Sequence, residues 1–448
     1  MSTTSKTIIF FPEGAFGPTN NCVGIGQVLR ERGHRVVFIV EESFAGRLEA
    51  QGFEERLMRL GPAPTEPEVP GQFWIDFIRD TAPIFRKPTI EQLGEFMAPT
   101  WQALIDGAKY AEPRLREIID ELAPDVIVED NVVAFPALPA SGRPWVRIVS
   151  CNPAELKDPL VPPMSSGYPV DSRGAADPSW PDFLAETERT HRSMWEDFSA
   201  FCRGAGAPEL AWGALGPDFI HESPWLNLYV YPSIADYERE RPLAPTWHRL
   251  ESSVRATSET WELPPHLRAD APGVAPDSGL VYLSLGSLGS ADVGLMQRLV
   301  DVMGATRHRV IVSKGPLADQ ITLHDNMTGE GFLPQPAILP MVDVVITHGG
   351  NNTVTEAFHH GKPMVVLPLF WDQVDNAQRV DETGFGVRLS TYGFEDAELT
   401  GAVDRLLAEA PLRARMAANA RSLRAAPGRV KAADLIERVA RTGEPVLR

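Results

Sequence analysis

The chain has 448 residues, of which 43% are hydrophobic, and a formal net charge of −18. That length exceeds what one core supports and suits two domains of roughly 200 residues each. With no basic stripe to offset it, the acidic balance argues against nucleic acid or an anionic membrane as partner.

The three cysteines, Cys22, Cys151 and Cys202, are far apart and show neither a C-x-x-C pair nor metal-ligand spacing, so reduced thiols are expected. The first residues hold too short an apolar segment for a signal peptide, and no run approaches the ~18 apolar residues of a membrane span. A soluble cytoplasmic enzyme is the expectation.

Residues 7–11 read as the first strand, 20–32 as a helix stopped at Gly33, and 35–40 as the second strand, a βαβ opening. Gly24-x-Gly26 fails as a dinucleotide fingerprint, because the third position is Leu29 and the glycines fall inside the helix. Residues 61–110 are proline-rich and then helical, with Trp74, Phe77, Phe85 and Trp101 along them. Most of these aromatics suit a core, and Trp74 and Phe77 are the pair assigned to an acceptor pocket. Residues 124–130 form a strand with an acidic exit at Asp130, and 145–150 continue the sheet. Residues 151–223 carry many prolines, Trp180, Trp195 and Trp212, an insertion suited to an acceptor pocket or to plain core helices.

Residues 232–279 are rich in proline, serine and charge and read as a linker. The expected division is a first Rossmann-like domain over 1–235, a linker over 236–278, a second Rossmann-like domain over 279–428 and a helix over 429–448. The second domain opens with a strand ending at Gly286-Ser287. Its most informative stretch is 331–389. There an apolar strand over 342–346 ends in Thr347-His348-Gly349-Gly350 before a helical pattern, and the unit repeats as 363–367, Asp372-Gln373 and a helix over 374–382. In a parallel sheet such turns lie at the carboxyl edge, where backbone N–H groups and the helix dipole can hold a phosphate.

His348-Gly349-Gly350-x-x-Thr353-x-x-Glu356-Ala357, followed by Gly361-x-Pro363, Pro368, Asp372-Gln373 and Asn376-Ala377, resembles the donor-binding signature of family 1 glycosyltransferases, including bacterial macrolide and natural-product enzymes. The resemblance implies an α/β protein of the GT-B fold, with two Rossmann-like domains facing a central cleft and the last helix crossing back to the first. It also implies an inverting hexosyl transfer from a nucleotide sugar, UDP-glucose before TDP-sugars, to a hydroxyl of a hydrophobic small molecule. By the same resemblance Phe332 stacks on the nucleobase, Gln335 meets base and ribose, and His348, Gly350, Asn352 and Thr353 hold the diphosphate. Glu356 then accepts the ribose hydroxyls, Asp372 and Gln373 hold the sugar, and Gly286 and Ser287 add phosphate contacts of second rank. Each has a plainer rival: Thr353-x-x-Glu356 is also a capping box, and Asp372 is also a helix cap. His359 and His360 match no family role.

No two aspartates stand two apart, so a metal-free mechanism without a bound cofactor is expected. The family's base, a histidine after the first strand, falls on Pro18, which cannot carry a proton. Its aspartate partner matches Asp130. The candidates for the base are therefore Asp130 and Glu13, with Asn20 and Asn21 positioning the acceptor. Two alternatives stay open: a nucleotide-sugar 2-epimerase on the same fold, and a nucleotide-sugar-binding protein that has lost catalysis.

Overall fold

Runs of β-branched and aromatic residues set the two sheets. The computed structural model describes residues 5–63, 76, 79–174, 179–257 and 259–448. In it β1 (Thr7–Pro12), β2 (Arg35–Glu41), β3 (Glu54–Met58), β4 (Val126–Asp130) and β5 (Trp145–Val149) are followed by a small hairpin, β6 (Trp212–Gly213) with β7 (Gly216–Pro217), and then by β8 (Leu226–Val230) and β9 (Trp247–Leu250). Apart from the hairpin these form one parallel sheet in the order β3-β2-β1-β4-β5-β8-β9. Every residue of β4, β5 and β8 is buried, as expected of parallel strands covered on both faces. The second sheet, β12-β11-β10-β13-β14-β15, is built from β10 (Leu280–Ser284), β11 (Arg309–Ser313), β12 (Met327–Glu330), β13 (Val344–Thr347), β14 (Met364–Val366) and β15 (Gly386–Arg388).

Both orders reverse direction once, between β1 and β4 and between β10 and β13. Open parallel sheets bind ligands in the crevice outside the strand exits at such a reversal. The residues just past those four strands are Glu13, Asn131, Leu285 and His348, with Asp130 closing β4.

Helices of interest are α1 (Phe16–Glu31), α2 (Ala98–Leu122), α3 (Trp180–Gly204), α4 (Asn351–His360), α5 (Gln373–Glu382) and α6 (Gly428–Thr442). The sequence reading starts α1 at residue 20, but the helix begins at Phe16 and takes in Pro18. Proline is tolerated in a first turn because the missing N–H has no intrahelical partner there. The stretch read as a linker from 236 contains β9, whose Trp247 and Leu250 are buried against the first sheet, so that sheet runs to residue 250. Proline and charge around a four-residue edge strand mask its pattern. The Gly24-x-Gly26 pair has a packing cause: a Cβ at Gly24 would meet Arg255 Cα at 3.1 Å, and one at Gly26 the rings of Phe38 and Phe53 at 3.3 Å. The final helix α6 buries Ala432, Ala433, Ile436 and Val439 in one core with Ile8, Phe10, Ile25 and Leu226 of the first sheet's layer. Among the described residues no helix is long and apolar enough to cross a membrane.

Candidate functional site

The second domain offers an open helix start. Past β13 the chain turns at Gly349, whose φ of +89° and a space that would bring a Cβ within 2.8 Å of Val366 both require glycine. The N-cap of α4 is Gly350 and no side chain caps it, so the first N–H groups of the helix are left for a ligand. Because α4 begins at Asn351, Thr353 stands inside its first turn rather than at its cap. The capping-box reading of Thr353 and Glu356 is therefore wrong.

His348 is wedged between glycines. A Cβ at Gly286 would lie 2.6 Å from its Cε1 and one at Gly350 2.6 Å from its Nε2. Burial pushes its pKa down to about 4, against a backbone hydrogen bond at Ser284, so the ring is neutral at pH 7. Ser287 is half-buried in the short turn Gly286–Gly289 beside it. At the outer edge Phe332 is 62% exposed, an unusual state for a phenylalanine, with Phe16 of the other domain 6.4 Å away, ring to ring. Gln335 Nε2 donates to Glu356 Oε2 at 2.6 Å and to Thr353 Oγ1 at 3.3 Å. Burial raises the Glu356 carboxyl, while Gln335 and Arg255 hold it down.

Several expected ligand groups are instead engaged across the domain seam. Asn352 Oδ1 accepts from Asn21 Nδ2 and its own Nδ2 donates to Gly17 O, both at 2.8 Å. Asn21 is thus a domain contact, 4% exposed, and Asn352 reaches α1 with its side chain. Asn20 is half-buried beside it. Asp372 occupies the N-cap position of α5 without capping it. Its Oδ2 accepts the Asn152 N–H at 2.8 Å and the Asn376 amide at 3.4 Å. Gln373 Oε1 accepts from the Leu369 and Phe370 N–H groups and closes its own turn. Asp372 Oδ2 and Gln373 Oε1 thus already have protein donors. The seam also holds residues the sequence reading missed. Asn351 Nδ2 donates to Ser150 O (2.8 Å) and Val230 O (3.1 Å), and Asp375 accepts from the N–H groups of Ser165 and Gly167. No sequence signal marks these contacts, since they join residues 121 to 210 positions apart.

The first domain presents carboxyl groups to this seam. The Glu13 N–H donates to Asp130 O at 3.0 Å, which fixes the turn after β1 to the end of β4. Asp130 is 3% exposed; its Oδ1 accepts from Ser150 Oγ at 2.8 Å, and its Oδ2 has no partner. Burial pushes its pKa up to about 7, with the Ser150 hydrogen bond opposing. The half-buried Glu13 rises to about 8 through burial, then through Asp130 and Glu41. Beside Glu13 a small pocket is walled by Phe11, Met58, Leu104, Val133 and Phe135. Trp74 and Phe77 lie outside the described residues. Their neighbours Phe85 and Trp101 pack on Phe370 and Trp371 with ring separations of 5.1 and 4.9 Å, as core rather than as free pocket wall. Among the described residues no three His, Cys, Asp or Glu side chains group as metal ligands.

Residues 265–416 match the family model described as "UDP-glucoronosyl and UDP-glucosyl transferase". The chain is 24% identical over 447 residues to the demethyllactenocin mycarosyltransferase of Streptomyces fradiae, covering 96% of this chain and 86% of that one. It is 25% identical over 411 residues to the oleandomycin glycosyltransferase of Streptomyces antibioticus, covering 87% and 80%. Among solved structures, the kitacinnamycin glycotransferase superposes with a TM-score of 0.67 at 21% identity over 97% of this chain and 98% of that one. A spinosyn rhamnosyltransferase complexed with thymidine diphosphate gives 0.60 at 16% identity over 97% and 99%. These likenesses show the GT-B fold.

Proposed function

We propose that this chain, whose residues 265–416 match the UDP-glucuronosyl and UDP-glucosyl transferase family model, is an inverting glycosyltransferase carrying a sugar from a nucleotide sugar to a hydroxyl of a hydrophobic natural product. The observation that carries the reading is the meeting of the uncapped start of α4 with the unpartnered Asp130 Oδ2 at the two sheet reversals. The natural-product acceptors in the relatives' names support the acceptor class.

In this reading Phe332 stacks on the base and Glu356, oriented by Gln335, accepts ribose hydroxyls. The diphosphate rests on the N–H groups that open α4 and on the neutral His348, which donates without carrying charge. Preorganised donors of this kind contribute roughly 3–4 kcal/mol each to a leaving group's stabilisation. The acceptor hydroxyl gives its proton to Asp130 Oδ2 as its oxygen attacks the anomeric carbon, and the C–O bond to the diphosphate breaks on the opposite face, which inverts the centre. Proline at 18 leaves this proton to a carboxylate, a base suited to phenols and other acidic hydroxyls.

The test is incubation with UDP-glucose and with TDP-sugars against phenols, macrolides and polyketides, read by mass spectrometry. A hexose-shifted acceptor is expected. Free sugar alone, an epimerised donor, or glycosylation confined to proteins or sugars would refute the reading.

A further inference from the structure

Two of the three residues that follow β5, Ser150 and Asn152, bridge the seam to the starts of α4 and α5. The Ser150 hydroxyl donates its single proton to Asp130 Oδ1 at 2.8 Å, and its carbonyl accepts from Asn351 Nδ2 at 2.8 Å, in the first turn of α4. Two residues on, the Asn152 N–H reaches Asp372 Oδ2 and its amide reaches Asn376 Oδ1, both at 2.8 Å, in the first turns of α5. Ser150 is 8% exposed, Asn351 5% and Asn152 1%, so none of these bonds exchanges freely with water.

A carboxylate's last torsion is broad and roughly two-fold. Ser150 holds this carboxyl through its hydroxyl on Oδ1, with its backbone N–H adding a second, lesser hydrogen bond, and the hydroxyl therefore dominates where Oδ2 points, the oxygen left without a partner. The serine that supplies this donor is in turn gripped through its carbonyl by the helix expected to hold the leaving diphosphate. Asn351 makes that grip with its Oδ1 buried and unpartnered, an unfavourable state that a leucine of similar size would avoid.

We propose that Ser150 is a positioning residue that couples the seating of the donor domain to the orientation of Asp130, so that the base is aimed only when α4 is docked. The proposal rests on the reading of Asp130 as the acceptor base. It extends that reading to a serine in no catalytic motif and to an asparagine that no phosphate contact requires.

The experiment compares Ser150→Ala, Ser150→Thr and Asn351→Leu with the unaltered chain and with Asp130→Asn, measuring kcat, donor KM and the pH dependence of kcat/KM. Ser150→Ala is expected to lower kcat about tenfold, less than the ~10²–10⁴-fold a positioned base supplies because the base itself is kept, with donor KM within about twofold. Its acidic limb moves to higher pH, because a donor to the charged form has been removed. Ser150→Thr keeps the hydroxyl and restores both. Asn351→Leu lowers kcat and moves the limb in the same direction with Asp130 and Ser150 intact. If Ser150→Ala leaves rate and limb unchanged while Asp130→Asn abolishes turnover, the coupling is wrong and the base assignment stands. If Ser150→Thr is as impaired as Ser150→Ala with an unshifted limb, Ser150 only packs and the proposal falls. Near-normal turnover of Asp130→Asn overturns both readings.

Discussion

Asp130 gives the sharpest test, because one proton moves activity and stability in opposite directions. Its carboxyl, 3% exposed, is pushed up to about 7, chiefly by burial, whereas an unfolded aspartate titrates near ~3.9. A carboxyl raised on folding adds stability that is fully present below the unfolded value and is lost as pH rises through the folded one. Between pH 5 and 7 the folded chain keeps a proton the unfolded chain has released, at about 1.4 kcal/mol per pH unit until the folded group titrates, on the order of 2–3 kcal/mol in all. Over the same window the ionised base accumulates, so kcat/KM climbs about tenfold per unit below pH 7 and then levels. Asp130→Asn is expected to cut kcat by about 10²–10⁴-fold while removing its share of the stability slope. The assay is denaturant unfolding of nucleotide-free protein at four pH values from 5 to 8, beside kcat/KM, with Glu13→Gln as control. Parallel loss of stability in the native chain and Asp130→Asn would refute the titration argument. Normal turnover in Asp130→Asn with loss in Glu13→Gln would move the base to Glu13.

Phe332→Ala is expected to weaken nucleotide binding by about 1–3 kcal/mol, the worth of one base stacked on an aromatic ring. Its melting temperature should not change, because the ring is already 62% exposed; calorimetric titration giving unchanged affinity would remove the stacking role. His348→Ala is expected to lose at least tenfold in nucleotide affinity or transfer rate with the fold intact, and unchanged values of both would remove its diphosphate role. Ala123 ends α2 at φ 43°, a left-handed conformation, so Ala123→Gly is expected to stabilise the protein by about 1 kcal/mol, and a lowered melting temperature would contradict the strain argument.

The donor stretch was legible because its chemistry is local. A buried strand, two glycines and a helix start fall within a few residues, and the same spacing recurs one strand later. Phe332, His348 and Glu356 are named through the family resemblance that this spacing carries. The seam was not legible, since Asn351 meets Ser150 and Asn152 meets Asp372 across separations of 201 and 220 residues, and no periodicity encodes such a meeting. The Asn21–Asn352 contact is hidden for the same reason: a polar side chain near a helix start looks alike in sequence whether it awaits a substrate or the other domain. Strand β9 was missed because four residues with one edge neighbour carry too little alternation to stand out from the prolines around them.

The packing of α6 has a bearing on how the chain is made. Ile436, Val439 and their neighbours close the same core as Ile8, Phe10 and Ile25, yet they are translated only after the whole second sheet. During synthesis the first sheet emerges with that face uncovered, so the usual order, in which an amino-terminal domain folds as a unit before the next appears, cannot be completed here. The second sheet, whose strands all lie between residues 280 and 388, can assemble first. Completion of the amino-terminal half then waits on α6, and ribosome-bound chains stalled before residue 428 would present its unfinished face to chaperones.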